Sequence, residues 1–343
     1  MTMRCFSRAL RSITGGALAL LVTAGALPGT SRSADAEQPL PADDGARITA
    51  ETRVDDSTVD LTVATPAIGD SEMIRVLLPK GWSRTAARTW PVVYAYQGGN
   101  DDYTSWVKGS QIADLAAQWG VIVVMPSGGK NGGFTDWWNY GKGGTPKWET
   151  FHTQEVLQLL ERNYRASTTR AALGVSSGGQ GAIAYAARHP GMFRYAASFS
   201  GLLHISDPAV EWTLMLQGLS FGFDPYSVWG IPIWDDANWK AHDPYELAGK
   251  LRGTGLYISA GTTGMPGPYD DPANSPIDAN FYGATGELIV GHTSQDFVNR
   301  LKQLGIPATV HLYGDGWHNW NYWRPELATA WPLMMKALGA AKV

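Results

Sequence analysis

Short apolar runs at 92–96, 121–125, 171–174, 195–200, 256–260 and 308–312 punctuate the chain, and stretches of helical period separate most of them. Runs this short, apolar at successive positions, have the pattern of strands buried on both faces. The stretches 105–119, 148–164, 178–189, 294–304 and 325–338 instead read as helices; in the second, Val156, Leu159, Leu160 and Tyr164 fall on one face. Ahead of these, 58–63 and 73–78 alternate with period two and predict an opening antiparallel pair. The whole pattern predicts an α/β architecture, a mostly parallel sheet flanked by helices. Residues 202–250 break the alternation and carry Trp212, Phe221, Phe223, Tyr226, Trp229, Trp234 and Trp239. They predict an aromatic-rich insertion, either a lid or binding wall over the active site or an extra packed subdomain.

The N-terminal segment stands outside this pattern. Arg4, Arg8 and Arg11 precede an apolar run of small residues at 13–27, and Ala34-Asp35-Ala36 is a small-x-small cleavage site. Residues 1–36 therefore read as a secretory signal peptide rather than a retained membrane anchor, and the protein is expected to be secreted. Residues 37–56, polar and rich in Pro and Asp, read as a flexible lead-in, leaving 57–343 as the catalytic domain. The single cysteine, Cys5, would leave with the signal, which excludes disulfides and a cysteine nucleophile from the exported chain. The mature chain would carry a net charge near −7, and no basic region remains to argue for a nucleic-acid partner.

Candidate chemistry centres on Gly174-Val175-Ser176-Ser177-Gly178, which lies between a predicted strand and a predicted helix. A serine in that setting is placed on a tight turn with its hydroxyl exposed, so Ser176 is the candidate nucleophile. It needs a base, and the loop after the last predicted strand supplies His318 in the required place. His311 lies within that strand and His189 ends a helix, so packing and capping account for them. No two histidines have a metal-site spacing, so a zinc hydrolase is not expected, and reaction through an acyl-Ser176 intermediate is expected to use neither a metal nor an organic cofactor. The third member should be a carboxylate after the strand at 256–260; Asp270 comes first in that loop, with Asp271 as alternate, while Asp278 and Glu287 read as surface charges. Two backbone amides should hold the developing oxyanion: that of Ser177, after the nucleophile, and that of Gly99, in the turn Gln97-Gly98-Gly99-Asn100. Asp102, Trp106, Trp137, Trp138 and Trp320 are candidates for the mouth of the site, since indole faces suit sugar rings and acyl chains.

With those residues in place, the chain resembles the antigen 85 mycolyltransferase family, in the esterase group of α/β-hydrolases. The resemblance runs from about Trp90 to Trp323 and is most specific at Lys147-Trp148-Glu149-Thr150-Phe151 and at His318-Asn319-Trp320-Asn321-Tyr322-Trp323. It implies the α/β-hydrolase fold, Ser176 as nucleophile, His318 as base, an acid after Ala260, and oxyanion donors at Gly99 and Ser177. It also implies transfer of an acyl group from an ester donor to a hydroxyl acceptor such as a sugar. Where the family has an acid, a glycine, a leucine and a sugar-contacting arginine, this chain has Gln97-Gly98-Gly99-Asn100. The resemblance thus supports acyl transfer more firmly than a mycolate donor. A carboxylesterase is the near alternative, and a non-catalytic extracellular binding protein on the same scaffold is the distant one.

Overall fold

Successive residues of the central strands enter opposite cores. Val92, Tyr94 and Tyr96 join one apolar cluster while Val93 and Ala95 join the other, as the two-residue pleat requires of a strand covered on both faces. The computed structural model describes residues 38–343 apart from 131 and 221, and Pro39–Val343 form one compact unit. The strands are β1 (Arg47–Arg53), β2 (Thr58–Thr65), β3 (Asp70–Leu77), β4 (Trp90–Tyr96), β5 (Ile122–Pro126), β6 (Ala166–Val175), β7 (Tyr195–Phe199), β8 (Gly255–Gly261) and β9 (Thr309–Gly314). They form one sheet in the order β1-β2-β3-β5-β4-β6-β7-β8-β9. The pairs from β1 to β5 through β3 are antiparallel, and every pair from β5 through β4 to β9 is parallel. This is the mostly parallel sheet expected from the alternation and the α/β-hydrolase fold that the resemblance implies.

The helices are α1 (Ser105–Gly109), α2 (Ile112–Ala117), α3 (Trp148–Thr150), α4 (Val156–Asn163), α5 (Ser177–Arg188), α6 (Pro208–Ser220), α7 (Tyr226–Trp229), α8 (Asp236–His242), α9 (Pro244–Leu247), α10 (Ile277–Gln303) and α11 (Trp320–Leu338). A π-helical turn, Phe151–Glu155, joins α3 to α4. Helices α4, α5 and α10 cover one sheet face through Leu159, Ile183 and Phe297, and α2 and α11 cover the other through Ile112 and Trp331. The helix predicted at 105–119 is broken at Ser110, whose hydroxyl donates to the Trp106 carbonyl (2.6 Å) and accepts from the Ile112 amide (3.2 Å).

Two expectations change. The segment 37–56 is not a loose lead-in: Arg47–Arg53 pair with β2, and the Leu40 and Asp43 amides donate to the side chains of Asn163 and Gln158. An edge strand whose side chains mostly face water has no apolar alternation to betray it. The insertion 202–250 folds as α6 to α9 around a small core of Ile205, Met215, Val228, Trp229 and Trp239, while Trp212 and Trp234 are exposed. Phe221, the segment 1–36 read as a signal peptide, and Cys5 lie outside the described residues. Among the described residues no helix is long and apolar enough to cross a membrane.

Candidate active site

Ser176 joins the end of β6 to the start of α5 with φ 54° and ψ −126°, backbone angles disfavoured for any residue with a Cβ. The flanking glycines make the turn possible. A Cβ on Gly174 would lie 2.0 Å from the Gly178 carbonyl oxygen, and one on Gly178 would lie 2.3 Å from that of Gln97. The Ser176 amide donates to the Phe199 carbonyl at the end of β7 (2.9 Å), tying the turn to the neighbouring strand. The serine thus stands at the carboxyl ends of the parallel strands, where open α/β sheets place their sites.

The loop after β4 lies against this turn: a Cβ on Gly98 would sit 3.6 Å from that of Ser176. Gln97, 2% exposed, donates to the Asp101 (2.7 Å) and Gly129 (2.9 Å) carbonyls and accepts from the Gly128 amide (3.2 Å), so it clamps the loop from beneath. The Asn100 amide is taken by the Lys130 carbonyl (2.7 Å) and that of Asp101 by Gly98 (3.4 Å). Among the described residues the amides of Gly99 and Ser177 have no acceptor. Ser177 opens α5, where a helix leaves its first amides unpaired.

His318 sits in the loop between β9 and α11, 18% exposed at its side chain. Its amide donates to the Gly283 carbonyl of α10 (3.0 Å), and its ring packs edge-on against Trp323 with centroids 5.0 Å apart. Its Nδ1 lies 2.7 Å from Oε2 of Glu287. Glu287 is fully buried, and its Oε1 accepts from the Ser200 hydroxyl (2.8 Å), the Gly261 amide (2.5 Å) and the Tyr313 phenol (2.9 Å). Burial first, and then the Glu287 charge, raise the Tyr313 phenol far above its ordinary range, so it remains a donor. The Ser200 hydroxyl in turn accepts from the Trp323 indole (3.0 Å). With all these donors the buried carboxyl leaves neither of its oxygens without a hydrogen-bond partner. Since Ser200 directly follows Phe199, the chain of contacts from Glu287 leads back to the strand end that holds Ser176. The Ser176 hydroxyl and His318 Nε2 have no hydrogen-bond partner among the described residues.

This overturns the expectation for the acid. Asp270 does not touch the imidazole. Its Oδ2 accepts from the amides of Gly267 (2.9 Å) and Trp317 (3.1 Å) and from the Tyr322 phenol (2.8 Å), and its Oδ1 accepts from the Asn319 side chain (2.9 Å). Asp271 closes an exposed turn with Asn274. Glu287, read from sequence as a surface charge, occupies the place beside His318 because α10 begins at Ile277 rather than at 294 and turns this residue inward.

Asn100, Asp101, Asp102, Lys108, Trp320 and Arg324 line much of a cleft of about 310 Å³, and Asp101 borders the same Gly98 that packs against Ser176, the candidate nucleophile. Burial, then the neighbouring Asp102 charge, raise the Asp101 carboxyl above its usual range. At Asp102 burial is outweighed by the Thr104 hydroxyl and amide and by Lys108 (3.2 Å), and its carboxyl is lowered. Trp106 does not reach this mouth. It is 1% exposed, donates its indole N–H to the Tyr96 carbonyl (2.9 Å), and packs edge-on behind Trp320. Trp137 is partly buried against Phe223, and the Trp138 indole donates to Asp235 (3.2 Å). Elsewhere, His204, Asp207 and Asp296 bring donor atoms within 4.8 Å of one another, a cluster that sequence spacing did not reveal. Hydrogen bonds account for it: His204 lies 3.3 Å from Asp296, and Asp207 accepts from the Ala209 amide.

The chain is similar to known esterases and acyltransferases. A family model described as "Putative esterase" matches residues 65–334. The esterase Rv1288 of Mycobacterium tuberculosis is 33% identical over 275 residues, 77% of this chain and 55% of that protein, so this chain spans about half the length of that relative. The diacylglycerol acyltransferase/mycolyltransferase Ag85B of Mycobacterium leprae is 33% identical over 262 residues, 73% of this chain and 77% of the relative. Among solved structures, MPT51 (FbpC1) of Mycobacterium tuberculosis is similar with a TM-score of 0.67 at 27% identity, covering 81% of this chain and 97% of that one.

Proposed function

We propose that this chain, which belongs to the esterase family that includes the antigen 85 acyltransferases, takes an acyl group from an ester donor onto Ser176 and passes it to a hydroxyl acceptor. The observation that carries this reading is the 2.7 Å contact of His318 Nδ1 with the buried Glu287, which leaves Nε2 for proton transfer. In the first half-reaction His318 Nε2 takes the Ser176 proton as Oγ attacks the ester carbonyl. The Gly99 and Ser177 amides receive the oxyanion, and Glu287 stabilises the imidazolium. Collapse expels the donor's alcohol, which leaves with the proton from His318. An incoming hydroxyl then gives its proton to the same nitrogen and attacks the acyl carbonyl, and collapse passes that proton to Ser176 Oγ as the new ester leaves.

Asp101, Asp102 and the Trp320 indole of this cleft suit a polyol, with carboxylates accepting from hydroxyls and the indole face covering a sugar ring. The charged and then apolar pattern of residues 1–36 supports export. Hydrolysis to free acid is the second reading, favoured by the relative named an esterase. Incubation of the purified protein with a short-chain acyl ester, with and without glycerol or trehalose, tests the proposal. Acylated glycerol or trehalose is expected; free acid alone under every condition would leave hydrolysis. Loss of turnover and of phosphonate labelling in Ser176→Ala is expected in either case, and a fully active variant would remove the acyl-serine mechanism.

A further inference from the structure

We infer that Asp270 is a positioning residue for His318, holding the backbone on both sides of the base without touching it; the inference rests on the acyl-serine reading above. The chain after β8 supplies two carboxylates to the base with different tasks, one from the loop and one from α10. Glu287 binds the ring. Asp270 binds the chain that carries the ring: the Trp317 amide, one residue before His318, donates to Oδ2 (3.1 Å), and the Asn319 side chain, one residue after, donates to Oδ1 (2.9 Å).

The other two donors anchor Asp270 itself. The Gly267 amide (2.9 Å) fixes it to its own loop, and the Tyr322 phenol (2.8 Å) fixes it to α11. Burial, and then hydrogen bonding to Asp270, keep that phenol up at about 12, so it donates throughout the working range. Asn319 is also the cap of α11, its Oδ1 accepting from the Asn321 amide (2.9 Å). Asp270 therefore sets the orientation of the cap, the start of the helix and the backbone of the base together. Bonds to a charged acceptor are the stronger kind, and catalytic geometry has to be held to within about 0.5 Å. Without Asp270, His318 keeps its amide bond to Gly283 and its ring contact with Glu287, but the Trp317 amide and the Asn319 side-chain amide lose their shared acceptor, leaving Trp317 its indole bond to Gly264 (3.1 Å) and Asn319 its cap contact with Asn321.

The test uses the full mature protein with p-nitrophenyl butyrate, measuring kcat, KM, the pH profile of kcat/KM, and thermal unfolding. Asp270→Ala is expected to lower kcat roughly 10- to 100-fold with KM changed less than about threefold, since a small misplacement of a catalytic group has a cost of this order. The acid limb of the profile is expected to move to lower pH, because an imidazolium less well aligned with Glu287 loses its proton more readily. Asp270→Asn keeps an acceptor for Trp317 and Tyr322 but turns an amide N–H₂ toward the Asn319 donor, so a smaller loss and a smaller shift in the same directions are expected. If Asp270→Ala unfolds, Asp270→Asn decides. A lowered melting temperature with kcat and acid limb as in the wild type would show a purely structural brace and overturn the inference. Failure of the wild type to label at Ser176 with a phosphonate would instead overturn the reading beneath it.

Discussion

At the scale of single residues, the question is which carboxylate serves His318. Glu287 meets two requirements that Asp270 does not, contact with Nδ1 and complete burial, and further donors satisfy its remaining lone pairs. A buried carboxylate beside an imidazole holds the tautomer whose Nε2 is bare and stabilises the cation formed as the serine attacks. Glu287→Gln keeps the shape but removes the charge and sets an N–H₂ group among donors. Its kcat is expected to fall about 10³- to 10⁴-fold, roughly 4 to 5 kcal/mol of barrier. This is a greater loss than that of Asp270→Ala, and steady-state hydrolysis of the same p-nitrophenyl ester measures both. A Glu287→Gln enzyme as fast as Asp270→Asn would return the role to another acid.

At the scale of elements, the strands and the serine turn were legible because their constraints are local. A doubly covered strand must be apolar at successive positions, and a strained turn between strand and helix must carry glycine where Gly174 and Gly178 stand. Helix α10 was not legible over most of its length. Periodicity predicts only 294–304, whereas the helix spans Ile277–Gln303 and carries Gly283, Gly286 and Gly291, residues of poor helix propensity. Packing explains Gly291: a Cβ there would lie 2.1 Å from the Gly261 carbonyl oxygen, so only glycine lets α10 lie against the end of β8 and bring Glu287 to Gly261 and His318. The acid was hidden because the helix that presents it is held by tertiary contact rather than by propensity. At Gly286 a Cβ would meet His318 at 3.5 Å, an ordinary contact. Gly291→Ala is therefore expected to destabilise by about 1 to 3 kcal/mol, its clash with backbone exceeding the propensity gain. Gly286→Ala is expected to raise stability by up to about 1 kcal/mol. Thermal unfolding of the two variants separates packing from propensity, and equal shifts would contradict this account of α10.

At the scale of the whole molecule, the buried His152 makes the stability of the fold depend on pH. It bridges the Ser127 carbonyl after β5 (2.8 Å) and the Tyr185 phenol of α5 (2.9 Å), inside a ring of Tyr96, Phe134, Trp148 and Phe151. Burial lowers its pKa to about 4, against about 6.5 for an unfolded histidine. Between those values the unfolded chain binds the proton and the folded one does not. The contribution is therefore fully present above about pH 6.5 and is lost as pH falls toward 4, by roughly 3 kcal/mol in all. Glu155 acts in the opposite sense: burial raises it to about 7, so its contribution is present below its ordinary range and lost as pH rises through 7. The wild-type profile sums these two with other shifted groups such as Asp101, Asp243, Glu149 and His242, so the histidine is isolated only by difference. Relative to His152→Gln, which cannot titrate, the wild type is expected to lose melting temperature steadily from pH 6.5 to 4.5, whatever the offset at neutral pH. A difference that stays constant across that interval would mean that the imidazole is protonated inside the fold, with one of its two partners displaced.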